Sequence, residues 1–272
     1  MRAPPRLLVF DSGLGGLTVH RALRDQLPDA QTLYVADDAA FPYGDLADPV
    51  LVDRVIRVMG ELIPDYQPDL VVIACNTAST LVLPALRAQF GVPFVGTVPA
   101  IKPAAKASQT RRIAILATPA TIKRDYTQSL IQEFADGCDV ILHAPPLLAE
   151  RAETVFSGGF VSDAELSDDI WPCFVDQDGR RTDMIVLGCT HFPLLLDRFV
   201  RLAPWAVTWI DPAPAIARRV AALLDAHPPR TARPAGDHAH LFLHTGDADF
   251  YQRMHKPLME WGFSGGVYRP VP

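Results

Sequence analysis

The chain has 272 residues, 49% hydrophobic and 21% charged, with a net charge of −6 at pH 7. That balance excludes a disordered polymer, and without a basic run interleaved with aromatics it argues against a nucleic-acid partner. No apolar stretch approaches the roughly 20 residues of a membrane helix. The N-terminus runs straight into a predicted strand with no signal peptide, and four cysteines (Cys75, Cys138, Cys173, Cys189) without export signals are expected to be reduced, in the cytoplasm.

The first predicted strand is Arg6–Phe10, ending in the glycine-rich turn that begins at Asp11. A helix with Val19, Leu23 and Leu27 on one face follows and stops at Pro28. Thr32–Val35 is a second strand, leading into Asp37, Asp38 and the loop Phe41–Gly44. Asp48-Pro49 opens a helix striped by Val52, Val55, Ile56, Met59 and Ile63. A buried strand then runs from Asp69 into Cys75, a helix covers about 78–89, and Pro93–Thr97 is a fourth strand.

After a crossover near 98–103 the pattern begins again. Arg112–Leu116 is a strand, Thr118-Pro119 opens a helix, and Val140–His143 is another strand. Residues 144–150 are expected to form a loop, and 153–179 to be helical in parts with a break at Gly158-Gly159. A second cysteine strand runs from Asp183 into Cys189, with a helix from near Pro193 and a short strand at Trp209-Ile210. Asp211-Pro212 caps a helix carrying Ile216, Val220 and Leu223. Residues 227–238 form a surface linker, His240–Leu243 a late strand, and 247–262 a last helix. The class is α/β: two βα-rich, pseudo-symmetric halves with mostly parallel sheets.

The two cysteine strands share one context. Asp69-Leu-Val-Val-Ile-Ala-Cys75-Asn76-Thr77 and Asp183-Met-Ile-Val-Leu-Gly-Cys189-Thr190-His191 each place a thiol at the carboxyl end of a buried strand, at the mouth of a helix. Ligands of open α/β sheets bind at that edge, and exposed amides there favour a thiolate. Two such thiols on one substrate, in a cleft between the halves, suit removal of a proton from one face of a carbon and its return on the other. That is cofactor-independent racemisation. A single cysteine is more often a small buried hydrophobe, the reading given to Cys138 and Cys173.

Asp11 could tune a nearby thiol or simply cap a helix. His191, two residues past Cys189, could shuttle its proton or be a satisfied histidine. Glu150 alone is more often a solvated charge. Ser12, Asn76, Thr77, Thr118, Thr121 and Thr190 could hold a carboxylate through hydroxyls, an amide and helix-start N–H groups, although each serine or threonine alone is more often a cap. No P-loop or G-x-G-x-x-G is present, no lysine stands in a persuasive Schiff-base context, and cysteine and histidine spacing gives no closed zinc set, so no cofactor or metal is expected. An amino-acid-binding protein without turnover is one alternative, and a thiol redox protein another. The isolated cysteines, outside any Cys-X-X-Cys, argue against the second.

Seven segments, in order, resemble the glutamate racemase family among the cofactor-independent aspartate/glutamate racemases. They are Phe10-Asp-Ser-Gly-Leu-Gly-Gly-Leu17, Tyr34-Val-Ala-Asp37, Pro42-Tyr-Gly44, Ala74-Cys-Asn-Thr-Ala-Ser79, Gly96-Thr-Val-Pro-Ala100, Leu187-Gly-Cys-Thr-His-Phe-Pro-Leu-Leu195 and Thr245-Gly246. The resemblance implies interconversion of L- and D-glutamate for peptidoglycan synthesis. It implies Cys75 as the acid/base thiol on the D-glutamate side, assisted by Asp11, and Cys189 on the L-glutamate side, assisted by Glu150 and His191. Substrate contacts implied are Asp11, Ser12, Tyr43, Gly44, Asn76, Thr77, Thr190 and His191, with Thr118 and Thr121 in addition. The loop before Glu150 matches the family only loosely. The resemblance further implies a first domain of 1–98 with 208–272, a second of 99–207, and a homodimer that needs neither nucleic acid nor membrane.

Overall fold

The computed structural model describes residues 4–226 and 240–271. The chain divides into two compact units, Met1–Thr97 with Ala213–Pro272, and Val98–Pro212. The first contains β1 (Arg6–Asp11), β2 (Gln31–Ala36), β3 (Leu70–Ile73) and β4 (Phe94–Gly96). The second contains β5 (Arg112–Ala117), β6 (Asp139–His143), β7 (Asp176–Gln177), β8 (Arg180–Arg181), β9 (Met184–Gly188) and β10 (Thr208–Ile210). The chain then returns to the first unit with β11 (His240–His244) and β12 (Gly265–Tyr268).

The first sheet is wholly parallel in the order β12-β11-β2-β1-β3-β4. From β1 the chain moves first to one side, to β2, and then to the other, to β3. This reversal opens a crevice at the carboxyl ends of β1 and β3. Phe10 lies opposite Ile73, so Asp11 and Ala74 leave the sheet side by side. Leu8, Phe10, Val71 and Ile73 are buried beneath the helices Asp48–Tyr66 and Asn76–Gln89, which is why these strands read as continuous apolar runs.

The second unit repeats the device with fewer strands. Its parallel sheet runs β10-β9-β5-β6, and the reversal falls between β5 and β9. Ala117 lies opposite Gly188, so Thr118 and Cys189 leave the sheet together. The approach is close: a Cβ on Gly188 would stand 2.8 Å from the Ala117 Cβ.

The structure corrects several expectations. The stretch 208–212 belongs to the second unit, because β10 pairs in register with β9; residue 98 moves with it. Glu150 is not in a loop but in the first turn of the helix Leu148–Phe156. Leu148, Ala149 and Ala152 give that segment its buried stripe, and alanine, glutamate and arginine are good helix formers. The stretch expected to be helical in parts, 153–179, instead ends in a small hairpin, β7–β8, that runs on to Arg181. Arg112, itself buried, anchors the hairpin by donating to the Gln177 and Arg180 carbonyls, 2.7 Å each. β12 was not foreseen. The expected surface linker at 227–238 lies outside the described residues.

Candidate active site

In the first unit, Cys75 lies two residues past the end of β3 and is the N-cap residue of the helix Asn76–Gln89. Its sulfur lies 3.6 Å from the Ser12 hydroxyl. Asp11 ends β1, and its Oδ1 accepts the Gly13 N–H at 3.0 Å and the Ser12 hydroxyl at 3.4 Å. The glycine-rich turn is required by crowding. A Cβ on Gly16 would stand 2.8 Å from the Asp11 Cβ, 2.9 Å from the Tyr34 hydroxyl and 3.0 Å from the Ala74 Cβ. The Tyr34 hydroxyl in turn donates to the Gly13 carbonyl at 2.8 Å.

Asn76 and Thr77 begin the helix and are buried. Neither the amide nitrogen nor the amide oxygen of Asn76 has a hydrogen-bond partner among the described residues. A buried amide costs free energy when unpaired, so this one is suited to a ligand.

Tyr43 is 2% exposed and donates its hydroxyl proton to Asp37. Burial first, then the Asp37 charge, pushes its pKa well above the usual value. Its proton is therefore committed, and what the corner presents outward is Gly44, which is exposed. Asp37 also receives a bidentate pair from Arg54, 2.6 Å at each nitrogen, and the Thr245 hydroxyl at 2.6 Å.

In the second unit, Cys189 immediately follows β9. Its sulfur lies 3.8 Å from His191 Nδ1, and His191 Nε2 lies 2.9 Å from Glu153 Oε1. His191 is buried, and burial opposes its charge. The hydrogen bonds to Cys189 and Glu153, with the charges of both, outweigh that and hold its pKa well above the ordinary histidine value. As imidazolium it can donate from both nitrogens, one toward sulfur and one toward carboxylate. Thr118 caps the helix Pro119–Lys123 by accepting the Thr121 N–H at 3.2 Å, and the two threonine hydroxyls are 2.9 Å apart. Thr190 is buried beside Cys189.

The carboxylate on His191 is Glu153, one helical turn beyond the expected Glu150, whose side chain is exposed on the same helix. The signal was present in the spacing. Glu153 stands four residues after buried Ala149 and beside buried Ala152, while Glu150 falls on the far side of that stripe. Asp37 and Arg54 were also missed as a pair, since 17 residues separate them in sequence. All four cysteines are free. Cys173 is buried away from polar partners, and burial lifts its pKa to about 12. Among the described residues no group of three or more His, Cys, Asp or Glu could hold a metal ion, and no helix is long and apolar enough to cross a membrane.

Doubly wound parallel sheets with a thiol and proton-carrying groups at each strand reversal define an acid/base enzyme of the α/β class. Comparison with known proteins agrees. Residues 18–220 match the family model described as Asp/Glu/Hydantoin racemase. Glutamate racemase of Brucella anthropi is 53% identical over 219 residues, covering 80% of this chain and 79% of that one. Glutamate racemase of Brucella suis biovar 1 is 53% identical over 226 residues, 82% of each chain. Among solved structures, Escherichia coli glutamate racemase in complex with L-glutamate and the activator UDP-MurNAc-ala superposes with a TM-score of 0.92 at 37% identity, covering 99% of both chains. Glutamate racemase from Thermus thermophilus in complex with beta-chloro-D-alanine gives 0.75 at 29% identity, covering 100% of this chain and 98% of that one. The chain belongs to the Asp/Glu/Hydantoin racemase family. It is an isomerase, an amino-acid racemase, and the reading as a binding protein without turnover falls away.

Proposed function

We propose that the protein interconverts L-glutamate and D-glutamate without a cofactor, using Cys75 and Cys189 as two acid/base thiols on one substrate. In the L to D direction the Cys189 thiolate takes the α-proton, breaking the Cα–H bond. The Cys75 thiol then delivers its proton to the opposite face of Cα, leaving Cys189 protonated and Cys75 as thiolate. The D to L direction is the mirror image, so the enzyme needs no net proton. His191, held by Glu153, supports charge at Cys189. Asp11 and Ser12 serve the same end at Cys75. Asn76, with Ser12, Thr77, Thr190, Gly44 and the pair Thr118 and Thr121, is assigned to holding the two carboxylates and the ammonium group. The D-glutamate made this way would supply peptidoglycan assembly.

The observation that carries this reading is the repetition of one arrangement. Each sheet reversal carries a nearly buried free thiol with its own polar partner, Ser12 at 3.6 Å from Cys75 and His191 at 3.8 Å from Cys189. The test is chiral product analysis in heavy water with L-glutamate, L-aspartate and L-glutamine offered separately. Racemisation of glutamate with deuterium entering at Cα, no added cofactor, and loss of full racemisation in both Cys75→Ser and Cys189→Ser is the expected result. Full activity in both variants would overturn the two-thiol chemistry.

A further inference from the structure

The proposed reaction uses the corner at Tyr43 and Gly44 but says nothing of what holds it. Asp37 is completely buried, and its carboxylate receives donors from three separate elements. Arg54, from the helix Asp48–Tyr66, gives Nε to Oδ2 and its terminal nitrogen to Oδ1, each at 2.6 Å. Tyr43 gives its hydroxyl to Oδ2 and Thr245 gives its hydroxyl to Oδ1. The next residue, Asp38, accepts the Thr245 and Gly246 N–H groups at 2.9 Å. A buried carboxylate is tolerated only when paired and hydrogen-bonded, and a planar guanidinium meets both of its oxygens at a fixed angle.

We propose that Arg54 is a positioning residue for substrate binding: through the buried Asp37 carboxylate it fixes the Tyr43 ring, and with it the exposed Gly44 peptide, against the end of β2. The inference rests on the glutamate racemase reading, since it assigns the Tyr43–Gly44 corner to the substrate. Arg54 itself is not a catalytic residue. Its side chain is 14% exposed and spends its fork on Asp37. Without Arg54 the carboxylate keeps two hydroxyl donors but loses its countercharge, so it must draw in water or shift, and Tyr43 shifts with it. Replacing Asp37 by a neutral isostere removes the stranded charge and lets the corner settle again.

The test compares wild type, Arg54→Met, Arg54→Met with Asp37→Asn, and Arg54→Lys, reading KM and kcat for glutamate with a thermal melt on each. Misplacing a binding group by about 1 Å costs up to about 100-fold, and the expected result is a KM raised about tenfold or more in Arg54→Met with kcat within about threefold. The double variant should recover most of that KM, because the two changes are coupled rather than additive. Arg54→Lys keeps the charge without the fork and should lie between. If Arg54→Met does not fold, Arg54→Lys decides, and a wild-type KM there overturns the proposal. Equal losses in kcat and KM that follow the melting temperature, with no recovery on adding Asp37→Asn, also overturn it. Absence of glutamate racemisation by the wild-type protein would defeat the parent reading; wild-type turnover with an unchanged KM in the arginine variants defeats only this one.

Discussion

Glu153 Oε1 stands 2.9 Å from His191 Nε2, on the ring edge away from Cys189. Removing the carboxylate by Glu153→Gln takes away one of the groups that raise the His191 pKa. Turnover from L-glutamate should fall by about 100-fold, the lower end of what a general acid–base group supplies, while Glu150→Gln stays near wild type. The stability effect has a definite sign. A histidine whose folded pKa exceeds its unfolded value of 6.5 contributes stability that is full below that value and is lost as pH rises through the folded pKa. Glu153→Gln should bring that loss to lower pH, which thermal melts taken upward in pH from the ordinary histidine value will show. An equal effect of both glutamate variants would refute the assignment.

Asn76 separates binding from stability. Its buried amide has no partner among the described residues, so Asn76→Ala removes a desolvated group and breaks no hydrogen bond. Replacing an unsatisfied polar group is close to neutral for folding. The melting temperature should hold or rise slightly, while KM for glutamate rises about tenfold, the equivalent of one lost hydrogen bond of about 1.4 kcal/mol. A large drop in melting temperature would mean that the amide serves the fold.

Gly16 tests how tightly the first unit is drawn around Asp11. The added methyl of Gly16→Ala would meet the Asp11 Cβ at 2.8 Å and the Tyr34 hydroxyl at 2.9 Å. Overpacking of this kind costs about 1–3 kcal/mol. Calorimetry should show that loss, and the displaced Asp11–Ser12 turn should lower activity further than Gly16→Ala lowers stability. Full activity would show that Asp11 need not be held in place.

His20 and His240 should make the fold sensitive to acid. Thr32 Oγ1 lies 2.7 Å from His20 Nε2 and 2.8 Å from His240 Nδ1. Burial and the neighbouring histidine push His20 well below 6.5, and burial with Arg24 lowers His240 to about 4. Both folded pKa values lie below the unfolded one, so the contribution of these two histidines to stability is full above 6.5 and drains away as pH falls toward 4. His240→Gln should flatten the fall of melting temperature across that window. A slope identical to wild type would place the acid sensitivity elsewhere.

Much of this was legible in the sequence because β1, β3, β5 and β9 are short apolar runs buried on both faces, as strands of a parallel sheet with helices on either side are. The thiol positions followed from the runs that end at Cys75 and Cys189. What the sequence hid was of two kinds. Glu153 was missed because Glu150 and Glu153 are both glutamates one turn apart, and only the buried stripe of Leu148, Ala149 and Ala152 tells them apart. The Arg54–Asp37 pair and the β9–β10 pairing arise from tertiary contact between distant segments, which no local pattern announces.

The parallel pairing of β11 with β2 has a consequence for biogenesis. The second unit is one uninterrupted span, 98–212, whereas the first must wait for the C-terminal segment to return. Until His240–His244 leaves the ribosome, β2 is an open edge carrying Leu33, Tyr34 and Val35, and Asp37 lacks the hydroxyl of Thr245. Nascent chains expose such edges to wrong pairing. Truncation before residue 240 should therefore yield a chain that aggregates through its first half while its middle third is already folded.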